Sequence, residues 1–255
     1  MGYAEWGSDP EFFGPRHAFR EGLILRALRT VNPPALQLDC AAGVGSLALG
    51  LARRGRTVIA ADLSLRSLAV IRRRAVRAGL ADRVLPVVAD IRQLPFADAS
   101  FPSVSTAETL EHVAEEDRAV GELARVTAPG GRLVGTVPHD PRQWSAWDDW
   151  AGHLRRYTRR ELEARLRGAG LEPRLQVWGW PLVRLYDGLF LKRINRRRLV
   201  HEGSTDTDAA LRSVQGLGGK RWLVRLVTWL FNVDRLFTGV PWGVGLLFTA
   251  RKKKP

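Results

Sequence analysis

Residues 35–137 alternate short apolar runs rich in β-branched residues with stretches of helical periodicity. Few folds accept that pattern, because consecutive parallel strands need a long crossover and the crossover is usually a helix. Strands are expected near Ala35–Leu38, Thr57–Ala61, Val84–Ala89, Val104–Thr106 and Leu133–Val137. Helices fit Ser46–Arg53, Arg66–Ala78 and Glu115–Val126, with Gly55, Gly79 and the Pro129-Gly130-Gly131 turn as stops. Thr158 and Glu161 form a capping box that opens a further helix, ending around Gly168–Gly170. Strands near Arg174–Trp178 and Gly245–Ala250 complete the sheet.

About 65 residues separate those last two strands, far more than a loop needs. They hold a helix starting at Leu182, the basic run Lys192–Arg198, a Gly/Ser/Asp stretch at Gly203–Gly219 and an apolar helix at Lys220–Phe237. The pattern divides into an N-terminal cap segment (1–34), a core (35–180), a basic, Trp-rich helical insertion (181–243) and a last core strand with a basic tail (244–255). No window reaches 18 uninterrupted apolar residues, since Asn232, Asp234 and Arg235 break the best one, so no spanning helix is expected.

Charge is uneven along the 255 residues. Residues 1–140 carry 17 Arg/Lys against 16 Asp/Glu, and residues 141–255 carry 23 against 10, so nearly all of the net +14 lies in the second half. Eight of the nine tryptophans lie there too. Basic charge beside large amphipathic aromatics suits an anionic partner, either phospholipid headgroups or nucleic acid. The single cysteine, Cys40, excludes a disulfide framework and a cysteine-based zinc site. No metal is expected, and the absence of a signal-like start suggests a cytoplasmic protein.

The most informative motif is LDCAAGVGSLA, Leu38 to Ala48, between an expected strand and helix. Ala41, Gly43 and Gly45 leave room for a ligand to approach the backbone, with Ala41 standing where a first glycine is usual. A tight strand–helix turn alone explains such a motif. Asp62, seventeen residues after Gly45, makes it more specific, since an acid at the end of the second strand can accept hydrogen bonds from ribose hydroxyls. Asp90 closes the third strand, where an adenine amino group can be read.

In LDCAAGVGSLALGLARRG, ADLS, ADIRQLPFADASF, ETLEHV, ELARVTAPGGRLVGTVP, GHLRRYTRREL and AGLEP, the chain resembles the class I S-adenosylmethionine-dependent methyltransferases. The likeness covers about residues 35–180 and is nearest the group that includes the quinone C-methyltransferases. It implies a Rossmann-like α/β fold: a seven-stranded sheet, helices on both faces and a helical insertion before the last strand. It also implies S-adenosylmethionine as cofactor, with Asp39, Ala41, Gly43 and Gly45 at its methionine end, Asp62 and Leu63 at the ribose, and Asp90 and Ile91 at the adenine. Pro102 departs from the acid usual in the approach to the fourth strand. A nicotinamide enzyme fits less well, for want of a Tyr-x-x-x-Lys set.

Candidates for assisting methyl transfer follow the strand ends: Glu108, His112, His139, His153 and Tyr157. Each also has a packing or capping role open to it. Arg155 and Arg156 are candidates for an anionic group or for plain solvation. Tyr3, Trp6, Phe12, Phe13 and His17 precede the first strand on a segment that covers the cleft or docks on the domain. In the Lys220–Phe237 helix, Arg221, Arg225, Thr228, Asn232 and Arg235 form one narrow polar stripe. Its broad apolar face must meet the protein's own core, a homodimer partner or a lipid surface. The leading expectation is a soluble or peripherally membrane-bound enzyme, in the latter case at the inner face, that methylates oxygen or carbon of a small or lipid-like acceptor; the alternative is an RNA methyltransferase using the basic second half.

Overall fold

The computed structural model describes residues 14–30, 36–191 and 221–254. Its centre is a seven-stranded sheet of order β3-β2-β1-β4-β5-β7-β6. The strands are β1 (Leu36–Cys40), β2 (Thr57–Asp62), β3 (Val84–Val88), β4 (Phe101–Ala107), β5 (Thr127–Pro138), β6 (Leu171–Trp178) and β7 (Gly245–Lys252). Strands β1 to β5 pair in parallel, whereas β7 runs antiparallel to both β5 and β6. The strand order reverses between β1 and β4, so a crevice opens at their carboxyl ends.

Two apolar layers hold the sheet. One face packs against α4 (Glu116–Val126) and α6 (Arg159–Gly168) through residues such as Leu38, Val104, Leu123, Leu162 and Phe248. The other packs against α1 (Pro15–Ala27), α2 (Ser46–Ala52) and α3 (Leu65–Arg77), with Phe19, Ile24, Leu51, Val58 and Ile71 among its buried members. Short helices α5 (Ala146–Ala151) and α7 (Leu182–Tyr186) follow β5 and β6, and α8 (Arg221–Leu230) precedes β7. Thr158 caps α6 and Glu161 reaches back to close the expected box.

Two expectations change. The Pro129-Gly130-Gly131 turn is a bulge within β5: pairing jumps from Phe101–Thr127 to Ser103–Arg132, and the strand starts six residues early. The expected helix at Lys220–Phe237 is α-helical only through Leu230 and continues as 3-10 turns over Phe231–Phe237. There Asp234, counted from the sequence only as a break in the apolar run, is buried and accepts hydrogen bonds from the Leu182 and Val183 amides at 2.8 and 2.9 Å. Arg251 pairs with Arg132 at the amino ends of the parallel strands, while Gly245 meets Pro138 and Trp178 at the carboxyl ends. The cluster Lys192–Arg198, the stretch Gly203–Gly219 and the aromatics Tyr3, Trp6, Phe12 and Phe13 lie outside the described residues.

Candidate active site

The turn after β1 is built for close approach. Ala41, Gly43 and Gly45 all take left-handed backbone conformations, with φ of 56°, 54° and 78°. A Cβ on Gly45 would sit 2.8 Å from Ile71 of α3, so only glycine fits there. One on Gly43 would meet nothing within 4 Å, which leaves open space above the turn. Asp62 ties that turn to the end of β2 by accepting from the Gly43 and Ser64 amides at 2.8 and 2.9 Å. Asp39 lies buried at the end of β1, one carboxylate oxygen accepting from the Ser105 hydroxyl at 2.8 Å and the other without a partner. Burial, reinforced by the charges of Glu21 and Asp62, pushes its carboxyl up to about 7. At the end of β3, Asp90 accepts from the Arg92 guanidinium through both oxygens, and hydrogen bonds from that guanidinium hold its carboxyl below the ordinary value. Leu63 is half exposed beside this line, and Ile91 is buried.

Helix α1 contributes charge that sequence reading did not assign. His17 bonds Glu21 and Ser46 at 2.9 and 3.1 Å, and the Ser46 hydroxyl donates to Glu21 at the start of α2. Arg20 reaches Glu108 at 3.4 Å, and Arg16 reaches Asp187, beyond α7, at 3.1 Å. Glu108 takes a positive φ of 50° after β4, and despite its burial the Arg20 and Arg16 charges hold its carboxyl below the usual range. His17 therefore docks against the cofactor turn, as one of the two roles considered for the N-terminal segment.

The segments after β4 and α5 come together. The Leu154 amide donates to the Glu111 carbonyl at 2.7 Å, and the His112 and His153 rings meet edge to face with centroids 4.8 Å apart. His153 Nδ1 bonds Asp148 at 2.8 Å, and His112 Nδ1 faces the Gly152 carbonyl at 3.3 Å. Burial opposes ionisation of Asp148, yet hydrogen bonds from His153 and Arg156 hold its carboxyl well below the usual range. Burial beside His153 lowers the His112 value, which keeps that ring neutral. Glu111 is fully buried, both of its carboxylate oxygens lack partners, and burial together with Glu108 raises its carboxyl well above the ordinary value.

The other two catalytic candidates are taken up by the fold. His139 directs Nδ1 to the Tyr157 carbonyl at 2.9 Å and Nε2 to the Pro241 carbonyl at 3.2 Å, so its ring joins β5 to the segment before β7. Tyr157 is buried in the layer under α4 and α6, where its hydroxyl donates to Glu116. Burial and that carboxylate raise the phenol far above its ordinary value, which makes it a structural anchor rather than a base. Arg155 donates to the Val113 carbonyl and pairs with Glu116 at 3.3 Å; Arg156 pairs with Asp148 at 2.8 Å. Both are committed within the protein.

A family model described as "Methyltransferase domain" matches residues 38–135. Over those residues the chain is similar to methyltransferase domains. The demethylmenaquinone methyltransferase of Thermus thermophilus is 46% identical over 124 residues, covering 48% of this chain and 54% of that protein. The chain thus spans about half the length of the curated relatives it matches. Among solved structures, the [4+2]-cyclase SpnF aligns with a TM-score of 0.67 at 21% identity, over 100% of this chain and 89% of that one. Phosphoethanolamine N-methyltransferase 2 of Haemonchus contortus aligns with a TM-score of 0.65 at 20% identity, over 92% and 52%. At those identities the structures establish the fold. The RNA reading gains no support from these comparisons. The methyltransferase domain's cofactor fits this chain: the open space over Gly43 and the unpartnered Asp39 oxygen leave a cradle and an acceptor for it.

Proposed function

We propose that this chain is a methyltransferase that moves a methyl group from S-adenosylmethionine to oxygen or carbon of a small, lipid-like acceptor of the quinone type. The observation that carries this is the ordered set of the open Gly43/Gly45 turn, Asp62 and Asp90 at successive strand ends within a matched methyltransferase domain. Asp39, Ala41, Gly43 and Gly45 are assigned to the methionine end of the cofactor, Asp62 and Leu63 to its ribose, and Asp90 and Ile91 to its adenine. Bound there, the cofactor supplies an activated methyl group that needs little covalent help from the protein.

The chain's own work is then positioning and exclusion of water. Helix α1 closes over the carboxyl ends of β1 and β4 through the Arg20–Glu108 and Arg16–Asp187 pairs. His112 and His153 form the acceptor side; a neutral imidazole can take the proton of an acceptor hydroxyl. A lipid-like acceptor is supported by the demethylmenaquinone methyltransferase relatives and by the apolar surface of α8. Trp222 and Trp229 are 65% and 68% exposed there, and Leu236 in the 3-10 turns that follow is 82% exposed. No described helix is long and apolar enough to cross a membrane. The exposed tryptophans of α8 support its placement at the boundary of an anionic bilayer, on the cytoplasmic side.

Calorimetry tests the cofactor assignment. The protein should bind S-adenosylmethionine, and Asp62→Ala should weaken binding by about 1–3 kcal/mol through lost hydrogen bonds to a charged acceptor. Tighter binding of a nicotinamide dinucleotide would overturn it. A panel of quinol and phenol acceptors in vesicles, assayed for S-adenosylhomocysteine release, tests the acceptor class.

A further inference from the structure

Glu111 poses a physical problem that the reaction above does not solve. A carboxylate removed from water with neither oxygen hydrogen-bonded is costly, and buried charges are as a rule paired or bound to metal. Around it, Glu111, His112 and His153 each offer one ligand atom, all within 4.8 Å of one another. The two histidines are prepared in the same sense. Each has Nδ1 engaged, His153 by the Asp148 carboxylate at 2.8 Å and His112 by the Gly152 carbonyl at 3.3 Å. With Nδ1 donating in both, the Nε2 lone pairs are left free, and a carboxylate or carbonyl behind a ring is the usual second layer of a metal-binding histidine. Asp148 is itself fully buried and fixed by Arg156 and by the Ser145 amide and hydroxyl. The Leu154–Glu111 backbone bond locks the two ligand-bearing segments together.

We infer that Glu111, His112 and His153 bind a divalent transition metal of the zinc type, leaving an open coordination position toward the acceptor. Two imidazoles and one carboxylate form the donor set of catalytic zinc sites, which keep a position for water or substrate. The ligand atoms must draw together by about an ångström to meet metal–ligand bonds near 2.0–2.2 Å. An acceptor oxygen in the open position would become more acidic, which takes the place of the proton-accepting role given to the imidazoles above; that effect rests on the proposed methyl transfer, whereas metal binding itself does not.

The test is titration of the metal-stripped, untagged full chain with zinc chloride, without cofactor or acceptor, followed by cobalt substitution. One zinc per chain is expected, with the visible d–d bands of low-coordinate cobalt(II). Glu111→Gln and His153→Asn should each weaken zinc binding at least tenfold, and His139→Asn should leave it unchanged. Glu111→Gln replaces a buried, unpartnered carboxyl with a neutral side chain of the same shape, so it should fold, as circular dichroism would verify. Absence of stoichiometric binding to the folded wild type, or equal binding by Glu111→Gln and His153→Asn, would overturn the site. S-adenosylhomocysteine binding, measured alongside, reports separately on the cofactor assignment.

Discussion

Asp39 shows how one position ties cofactor chemistry to proton binding. Its carboxyl is raised from the usual 3.8 to about 7, chiefly by burial. The folded protein therefore holds a proton that the unfolded chain has given up, and this group's contribution to stability falls as pH rises from about 4 to 7. A cationic cofactor beside the unpartnered oxygen reverses the shift. Binding near pH 6.5 should thus release a proton, seen as a calorimetric enthalpy that varies with the buffer's ionisation enthalpy, and Asp39→Asn should abolish that dependence. Equal enthalpies in all buffers for the wild type would refute it. Ala41 offers a second measurement. It sits at φ 56° where a glycine is usual, and the left-handed region costs an alanine about 1 kcal/mol. Ala41→Gly should raise stability in denaturant titration by roughly that amount or somewhat less, since glycine also loosens the unfolded chain. A destabilised variant would show that the methyl group packs.

At the scale of elements, capping and charge decide what the apolar pattern leaves open. The sequence motif S/T-x-x-E marked the start of α6, and the structure forms that box. It gave no signal for Asp234, whose two acceptors hold the first turn of α7 from fifty residues away. Asp234→Ala strands the buried Val183 amide and the part-buried Leu182 amide and should cost about 1–3 kcal/mol, read as a lower urea midpoint and faster proteolysis after Trp178. An unchanged midpoint would mean that α7 is held by packing alone. Helix α8 divides in a way its sequence did not foretell. Val224 is buried and the Thr228 hydroxyl bonds the Pro15 carbonyl, while Trp222, Leu226, Trp229 and Leu230 face outward; in the 3-10 turns that follow, Phe231 is buried and Val233 exposed. Its residues did announce an over-wide apolar face, but the side that α1 would cover depends on contacts some 200 residues apart.

Over the whole molecule, the net charge of +14 and the outward tryptophans act together. Basic residues near an anionic surface contribute about 1 kcal/mol each and tryptophans favour the headgroup boundary. The protein should co-sediment with vesicles containing phosphatidylserine, less so at high salt, and least when Trp222→Ala and Trp229→Ala are combined. Binding that survives the double substitution would place the contact elsewhere. The sequence by itself determined the α/β class, the strand-end positions of Gly43, Gly45, Asp62 and Asp90, and the capped start of α6, because these rest on local periodicity and on conformations set within a few residues. Only the tertiary structure decided which polar side chains meet. It spent His139 and Tyr157 on the frame, joined Arg20 of α1 to Glu108 after β4, and set Glu111 and His112 against His153, forty-one residues on. Burial and pairing across distant segments fix a side chain's proton and its partner, and residue spacing along the chain carries neither.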